Sequence, residues 1–498
     1  MDNLTIDKLS PAKRELLALR LNKNRAFISR RSPSDVHPPL SFAQERLWFI
    51  QQIDPDSSAY NIPAALQLSG PLDVPALERS LREVIRRHEI LRTSFKLVNS
   101  SVVQVIAPDF PFTLEIIDLT AAEDRETKAR SLVRESAQRP FKLDDGPAWR
   151  ASLLRLDAEE HVLLFTMHHI ICDGWSNDVL VREVTTLYDA YVHGRISPLP
   201  ELPIQYADYV VWQLASLNSE VIASQLEYWK QQLQGKVEPL ELPTDRPRSS
   251  KQTFRGASQS WAFPVELSQA LKALGRTQNA TLFMVVLAAF KALLHYYSGQ
   301  QQITIGAPMA HRTRAETQPL IGLFLNTLVL STDMSGDPSF VELLQRVRDV
   351  SLGAHAHQDV PLERLMETLQ PDRTTDGQPL FQATYTLQSV ASDELGLSGL
   401  VARPMKVEHE TAQFDLVVNG IDSKHGLTGV FEYSTDLFDA PTIARMTENF
   451  GRVLNAVIAQ PDIRLSQLKQ QLAEVERQDY EDACRQKLAN RLAGRRRR

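Results

Sequence analysis

Residues 166–175 read TMHHIICDGW: two adjacent histidines close the apolar run HVLLFTM, and an Asp-Gly pair follows four residues later. The run is apolar at odd and even positions alike, which predicts a strand buried between two layers. Side chains alternate along a strand, so His168 and His169 are expected on opposite faces and cannot converge on one metal ion. One ring then faces the core and the other a cleft at the strand end. No helical His pair with an intervening Glu and no Cys pair at ligand spacing occurs, which argues against zinc. A neutral imidazole, with an ordinary pKa of about 6.5, accepts a proton from an amine or hydroxyl near neutral pH. No Gly-x-Ser-x-Gly turn announces a serine nucleophile, so the base is expected to act on a substrate group directly. Asp173 and Gly174 suit a tight turn, since glycine reaches backbone angles closed to other residues. Two readings of Asp173 stand side by side: a turn residue only, or a buried carboxylate that needs a cation, such as an arginine, from another segment.

Outward from this strand the pattern mixes helices and strands. Before it, helices are predicted near FAQERLWFIQQI and over DVPALERSLREVIRRH, with strands at AALQLSG, TSFKLV, VVQVIA and WRASLLRL. After it come helices over WSNDVLVREVTTLYDAYV and IQYADYVVWQLASL. QGKVEPLELPTDRPRSSKQ, rich in proline and charge, is the best internal boundary. Beyond it, TLFMVVLAAFKALLHYY is apolar nearly all round and predicts a buried helix, QITIGAPMA a strand, and FDLVVNGIDSKHGLTGVFEYST a strand pair about a Lys-His-Gly turn. Asp439 is expected to cap a last amphipathic helix with Ile443, Met446, Phe450, Val453, Leu454 and Val457 inward. At the start, Ser10 and Pro11 open a short helix with Leu16, Leu17 and Leu21 on one face. The tail QDYEDACRQKLANRLAGRRRR reads as solvated linker rather than as a nucleic-acid arm. No short-period repeat is present, and two α/β lobes joined by the Pro-rich crossover form the simplest architecture.

The chain has 498 residues, 43% hydrophobic and 23% charged, enough for two or three domain-sized cores. A net charge of -6 creates no general attraction to nucleic acid or to an anionic membrane. Cys172 lies beside an apolar strand and Cys484 in a charged tail, which does not suggest a disulfide framework and fits a reducing cytoplasm. No segment has the form of a signal peptide or the roughly 20 apolar residues of a membrane span. A cytoplasmic protein without nucleic-acid or membrane partners is expected.

His168, His169, Asp173 and Gly174 match the HHxxxDG signature of the condensation domains of nonribosomal peptide synthetases, a family in the same superfamily as chloramphenicol acetyltransferase-like acyltransferases. Further motifs of that family follow its order: LSFAQERLWF at 40–49, RHEILRTSF at 87–95, YADYVVW at 206–212, IGLFLNT at 321–327, HQDVPLERL at 357–365 and PLFQ at 379–382. The chain therefore resembles this family from about residue 38 to about residue 470. The resemblance implies an α/β (α+β) fold of two chloramphenicol acetyltransferase-like lobes, a V-shaped pseudodimer with a central tunnel. The expected organisation is 1–37, N-terminal helix and linker; 38–233, N-terminal lobe with the signature; 234–256, crossover; 257–470, C-terminal lobe; 471–498, basic linker or tail.

The resemblance also implies amide (peptide) bond formation in secondary-metabolite biosynthesis. A donor carrier protein presents an acyl or peptidyl thioester, an acceptor carrier protein an aminoacyl thioester, and the free amine attacks the donor carbonyl. The chain is expected to bind no metal or cofactor of its own; phosphopantetheine arrives on the peptidyl (or acyl) carrier proteins, and adenylation domains belong to the same assembly line. By the family pattern His169 is catalytic, as a base worth about 10² to 10⁴ in rate or by positioning the amine, worth roughly 7 to 11 kcal/mol. His168, Asp173, Gly174, Trp175 and Ser176 support it. Asp173 resembles an aspartate of a structural salt bridge, with Arg312 in a partner position. Arg87, Arg92, Trp212 and Asn326 lie in motifs that support the site or tunnel, and FAQERLW reads as a packed helix rather than a substrate contact. Cys172, Leu325 and Leu362 replace the frequent serine, valine and phenylalanine in tolerable volume, whereas Ser331 replaces a usual arginine and removes any ion pair made there. Two alternatives are an acyltransferase acting on coenzyme A-linked or free substrates, and an inactive module that recruits carrier proteins.

Overall fold

The computed structural model describes residues 27–495 except 33, 218, 236, 250–252, 370–379, 390–394, 398, 406, 408 and 409. The expected N-terminal helix around Ser10 to Leu21 lies outside the described residues. In chain order the first half contains α1 (Phe42–Ile53), β1 (Asn61–Ser69), α2 (Val74–Arg87), β2 (Thr93–Val98), β3 (Ser101–Ile106), β4 (Glu115–Asp118) and α3 (Arg125–Gln138). It continues with β5 (Trp149–Arg155), β6 (Glu160–His168), α4 (Gly174–Val192), α5 (Tyr206–Ser216) and α6 (Glu220–Leu233). The second half contains β7 (Gly256–Phe263), α7 (Val265–Thr277), α8 (Leu282–Ser298), β8 (Gln302–Ala310), β9 (Leu325–Asp333), α9 (Phe340–Ala356) and α10 (Leu362–Leu369). It ends with β10 (Ala383–Ser389), β11 (Leu395–Leu397), β12 (Leu400–Pro404), β13 (Leu416–Ser423), β14 (Gly426–Ser434), α11 (Ala440–Ala459) and α12 (Leu465–Arg495).

Two six-stranded sheets define two lobes, in the orders β11-β12-β1-β6-β5-β4 and β7-β14-β13-β10-β8-β9. β6 lies inside the first sheet, antiparallel to β1 and β5, and from His161 to His168 every residue is buried, as its unbroken apolar run requires. Local signals start the helices around it. Ser41 and Gln44 form a capping box at α1, and Asp73 accepts from Ala76 N–H at α2, where proline sits in the first turn. In the second lobe α8 is buried from Met284 to Leu294 and is closed by Gly299 at φ 69°, a left-handed angle suited to glycine.

The lobes exchange parts, and packing departs from the expected boundaries. By its place before residue 234, α6 belongs with the N-terminal lobe, but Ile222, Trp229 and Leu233 pack into the core of the second sheet. In return Leu320, Ile321, Leu323 and Phe324 pack into the first core, and β12 pairs with β1 from Leu66↔Pro404 to Ser69↔Val401. Sequence adjacency misleads here because each lobe's apolar faces are finished by segments from the other half.

Two further expectations are corrected. Asp439 does not cap α11 through its side chain; Arg246 takes its carboxylate instead, and Pro441 sits in the first turn of the helix. Residues 471–495 are not linker but the body of α12. Glu476 accepts from Tyr296, Tyr297 and Asn449, and Arg477 and Arg485 pair with acids at helical spacing on the surface of α12. Ile443, Met446, Phe450, Val453, Leu454 and Val457 of α11 are buried as the periodicity predicts. Among the described residues no single helix is long and apolar enough to cross a membrane.

Candidate active site at the lobe junction

β6 ends at His168, and His169–Ile171 form a short 3-10 turn, so turn geometry rather than strand alternation separates the two rings. His168 is buried against Tyr60 and Phe141, and its Nδ1 accepts the Ile170 N–H at 3.1 Å. Burial, reinforced by the neighbouring His169, pushes its pKa down to about 3. His169 is half-buried, and its backbone N–H donates to Tyr60 O at 2.8 Å. Its Nδ1 lies 2.7 Å from Cys172 O. A carbonyl only accepts, so Nδ1 carries the hydrogen and Nε2 holds the lone pair. Burial lowers the His169 pKa, with Asp173 and the Cys172 carbonyl opposing, and the ring is neutral near pH 7.

The turn is fastened from the other lobe. Asp173 Oδ1 accepts from Arg312 Nη2 at 3.0 Å, from Ser176 N–H at 2.8 Å and from Ser176 Oγ at 2.7 Å, while Oδ2 accepts from Phe324 N–H at 3.0 Å. Of the two readings of Asp173, the structure has the buried carboxylate with an arginine partner. Arg312 Nη1 also donates to Thr317 O and Leu320 O, both at 2.6 Å, and its guanidinium lies over Phe324. Burial presses the Arg312 pKa down and Asp173 opposes it. Gly322 donates to Ser176 Oγ, and a Cβ at Gly322 would overlap the Tyr206 ring. Asp173 is thus spent on the junction and does not back His169 as in a catalytic triad.

His169 opens onto a chamber of about 310 Å³ walled by both lobes. Tyr60, Asn61 and Arg46 of α1 line one side; Asn326, Thr384, Thr386, Asn419 and Glu432 line the other. Cys172 is fully buried with its thiol pKa pushed well up by burial, so it is no nucleophile. Among the described residues no cluster of three His, Cys, Asp or Glu side chains is placed to hold a metal.

A family model described as "Condensation domain" matches residues 35–479. The chain belongs to the condensation domain family. It is 46% identical over 433 residues to one component of the linear gramicidin synthase of Brevibacillus parabrevis and 47% identical over 436 residues to another component of the same synthase, matching 86% of this chain in both cases. The chain spans only 6% and 8% of the length of those relatives. Among solved structures, the X-domain from teicoplanin biosynthesis superposes with a TM-score of 0.81 at 28% identity, over 89% of this chain and 99% of that one.

Within this condensation domain the residues singled out by sequence separate into three groups. His169 and Asn326 reach the chamber; Asn326 Nδ2 holds Gln358 O at 2.9 Å and Val360 O at 2.8 Å, tying β9 to the turn before α10. Asp173, Ser176, Gly174 at the start of α4, and Arg312 form the junction, with His168 behind. Arg87, Arg92, Trp212 and Trp175 do not line the chamber. Arg87 pairs with buried Glu183 at 3.0 Å, beside His88. Arg92 donates to Ala107 O, Arg314 lies over Trp212, and Trp175, 40% exposed, donates to Gln318 O. Ser331 Oγ bonds Thr304 and Gln302 where the sequence predicts the loss of an ion pair. Sequence reasoning missed Arg46, which lines the chamber and faces Glu363 of α10 at 3.8 Å, although FAQERLW reads as packing alone. It also missed Thr386, Asn419 and Glu432, whose strands carry no motif.

Proposed function

We propose that this condensation domain joins a donor acyl or peptidyl thioester to an acceptor aminoacyl thioester, both on phosphopantetheine arms of carrier proteins, in a cytoplasmic assembly line with adenylation domains. The observation that carries this reading is His169: neutral, with Nδ1 tied to Cys172 O and Nε2 left to accept, in a chamber walled by both lobes. The acceptor amine donates to Nε2 and its lone pair attacks the donor carbonyl; as the C–N bond forms the donor C–S bond breaks, the proton lost by nitrogen ends on the departing donor thiolate, and the lengthened chain stays on the acceptor. The buried Cys172 agrees with a reaction whose nucleophile belongs to the substrate. Asp173, Ser176 and Arg312 act indirectly, by fixing the turn that presents His169. The test loads purified protein with an acyl-carrier donor and either a carrier-bound or a free acceptor. Product on the acceptor carrier is expected; product with the free acceptor alone overturns the reading.

A further inference from the structure

On the chamber wall that carries His169, the hydroxyl of Tyr60 is left over. The polar side chains of that wall are Arg46, Tyr60, Asn61 and His169. Asn61 Nδ2 is spent on Ala137 O at 2.8 Å and Arg139 O at 3.0 Å, and Arg46 faces Glu363 at 3.8 Å. Tyr60 is 5% exposed, its ring tilted against His168 and edge-on to Phe254. Its hydroxyl makes no hydrogen bond among the described residues; burial raises its pKa, Arg46 opposes the shift, and the phenol keeps its proton near pH 7. Buried polar groups are ordinarily paired. The rings packed around Tyr60 supply no acceptor, so the partner must come from the chamber.

The Tyr60 carbonyl accepts the His169 N–H at 2.8 Å, one step beyond the register pair Asn61↔His168, so the two residues stand side by side across β1 and the turn after β6. Side chains of residues opposed in this way begin about 4.5–5.5 Å apart. A thioester carbonyl under attack by an amine needs an acceptor for the amine hydrogen and a donor for the carbonyl oxygen, on which negative charge grows. In the tetrahedral intermediate that nitrogen and that oxygen are bonded to a single carbon, so neighbouring residues can serve both. His169 Nε2 accepts, and a neutral phenol donates. We propose that the Tyr60 hydroxyl donates to the carbonyl oxygen of the donor thioester and stabilises the oxyanion of the tetrahedral intermediate. This rests on the function proposed above. The phenol keeps its hydrogen throughout; the oxyanion returns to a carbonyl as the C–S bond breaks.

The test compares wild type with Tyr60→Phe in single turnovers of the full chain, using a carrier-bound aminoacyl acceptor and two carrier-bound donors, an acetyl thioester and the matching dithioester, whose C=S sulfur is a weak acceptor. Tyr60→Phe is expected to slow the thioester reaction by about 10², as removal of one oxyanion donor does, with KM and melting temperature little changed. The dithioester isolates the contact. The ratio of thioester to dithioester rates within one preparation is independent of the folded fraction, and it should fall at least about tenfold in Tyr60→Phe. A wild-type rate in Tyr60→Phe, or a loss of equal size with both donors, overturns the role of Tyr60, and the equal loss marks the residue as packing for the His169 turn. Wild type that makes no product with either donor overturns the proposed function and the role of Tyr60 with it, so the wild-type reaction tells the two failures apart.

Discussion

Strand β8 has a buried cation near each end, and the two are treated differently. Near its start, Lys291 of α8 donates to Ile303 O at 3.1 Å, Leu330 O at 2.6 Å and Thr332 Oγ1 at 2.8 Å, three neutral acceptors for three N–H groups. Just past its end, Arg312 meets the carboxylate of Asp173 from the other lobe. Lys291 lies within one core, where burial presses its pKa well below the usual value. Arg312 lies where two lobes must keep register. An opposite charge there specifies one arrangement, because a shifted junction leaves both partners buried and unpaired. The lysine holds two strands that the sheet already pairs, so dipoles suffice.

Four experiments break or sharpen this contrast. His169→Ala leaves both cations in place and is expected to lower condensation by about 10² to 10⁴ with little change in melting temperature, read by product formation on loaded carriers. Asp173→Ala strands Arg312 and is expected to cost about 3–5 kcal/mol in denaturant unfolding; Asp173→Ala with Arg312→Met should recover part of it. A pH series probes the turn between them. Below pH 6.5 the unfolded chain protonates His168 while the folded ring stays neutral to about 3, so stability is lost as pH falls, by about 2 kcal/mol at pH 5. His168→Asn, whose Oδ1 can replace Nδ1 toward Ile170 N–H, should shed that part of the slope. Lys291→Met is expected to cost about 1 kcal/mol; a loss equal to that of Asp173→Ala would erase the distinction.

Most of the helices and strands were legible because local signals agree with packing: the doubly apolar β6, the period of α11, the all-round apolar α8. The Asp173–Arg312 pair was legible only through resemblance, since nothing in GAPMAHR announces where that side chain points. What stayed hidden depends on long-range closure. α6 has an amphipathic face that suits either core, and the choice falls to the second sheet through Trp229, whose indole donates to His357 O. Asp439 has the residue type and position of a cap, but Arg246, far away in the chain, claims it. Glu432, Asn419 and Thr386 are ordinary solvent-side strand residues until the other lobe encloses them. Arg46 was hidden for the opposite reason, because its helix does pack, and Arg46 turns to the chamber from among the apolar side chains Ala43 and Leu47.

The strand exchange has a consequence for how the molecule is made. β1 is an inner strand of the first sheet, and its outer neighbour is β12. While the chain emerges from a ribosome, residues 61–69 are available early, but residues 400–404 arrive only after most of the second lobe has been translated. Until then the nascent first lobe presents an open strand edge at Leu66 and Leu68, the kind of edge that recruits wrong partners. Chaperone dependence and translation speed should therefore bear more heavily on the yield of the first lobe than its own core would suggest.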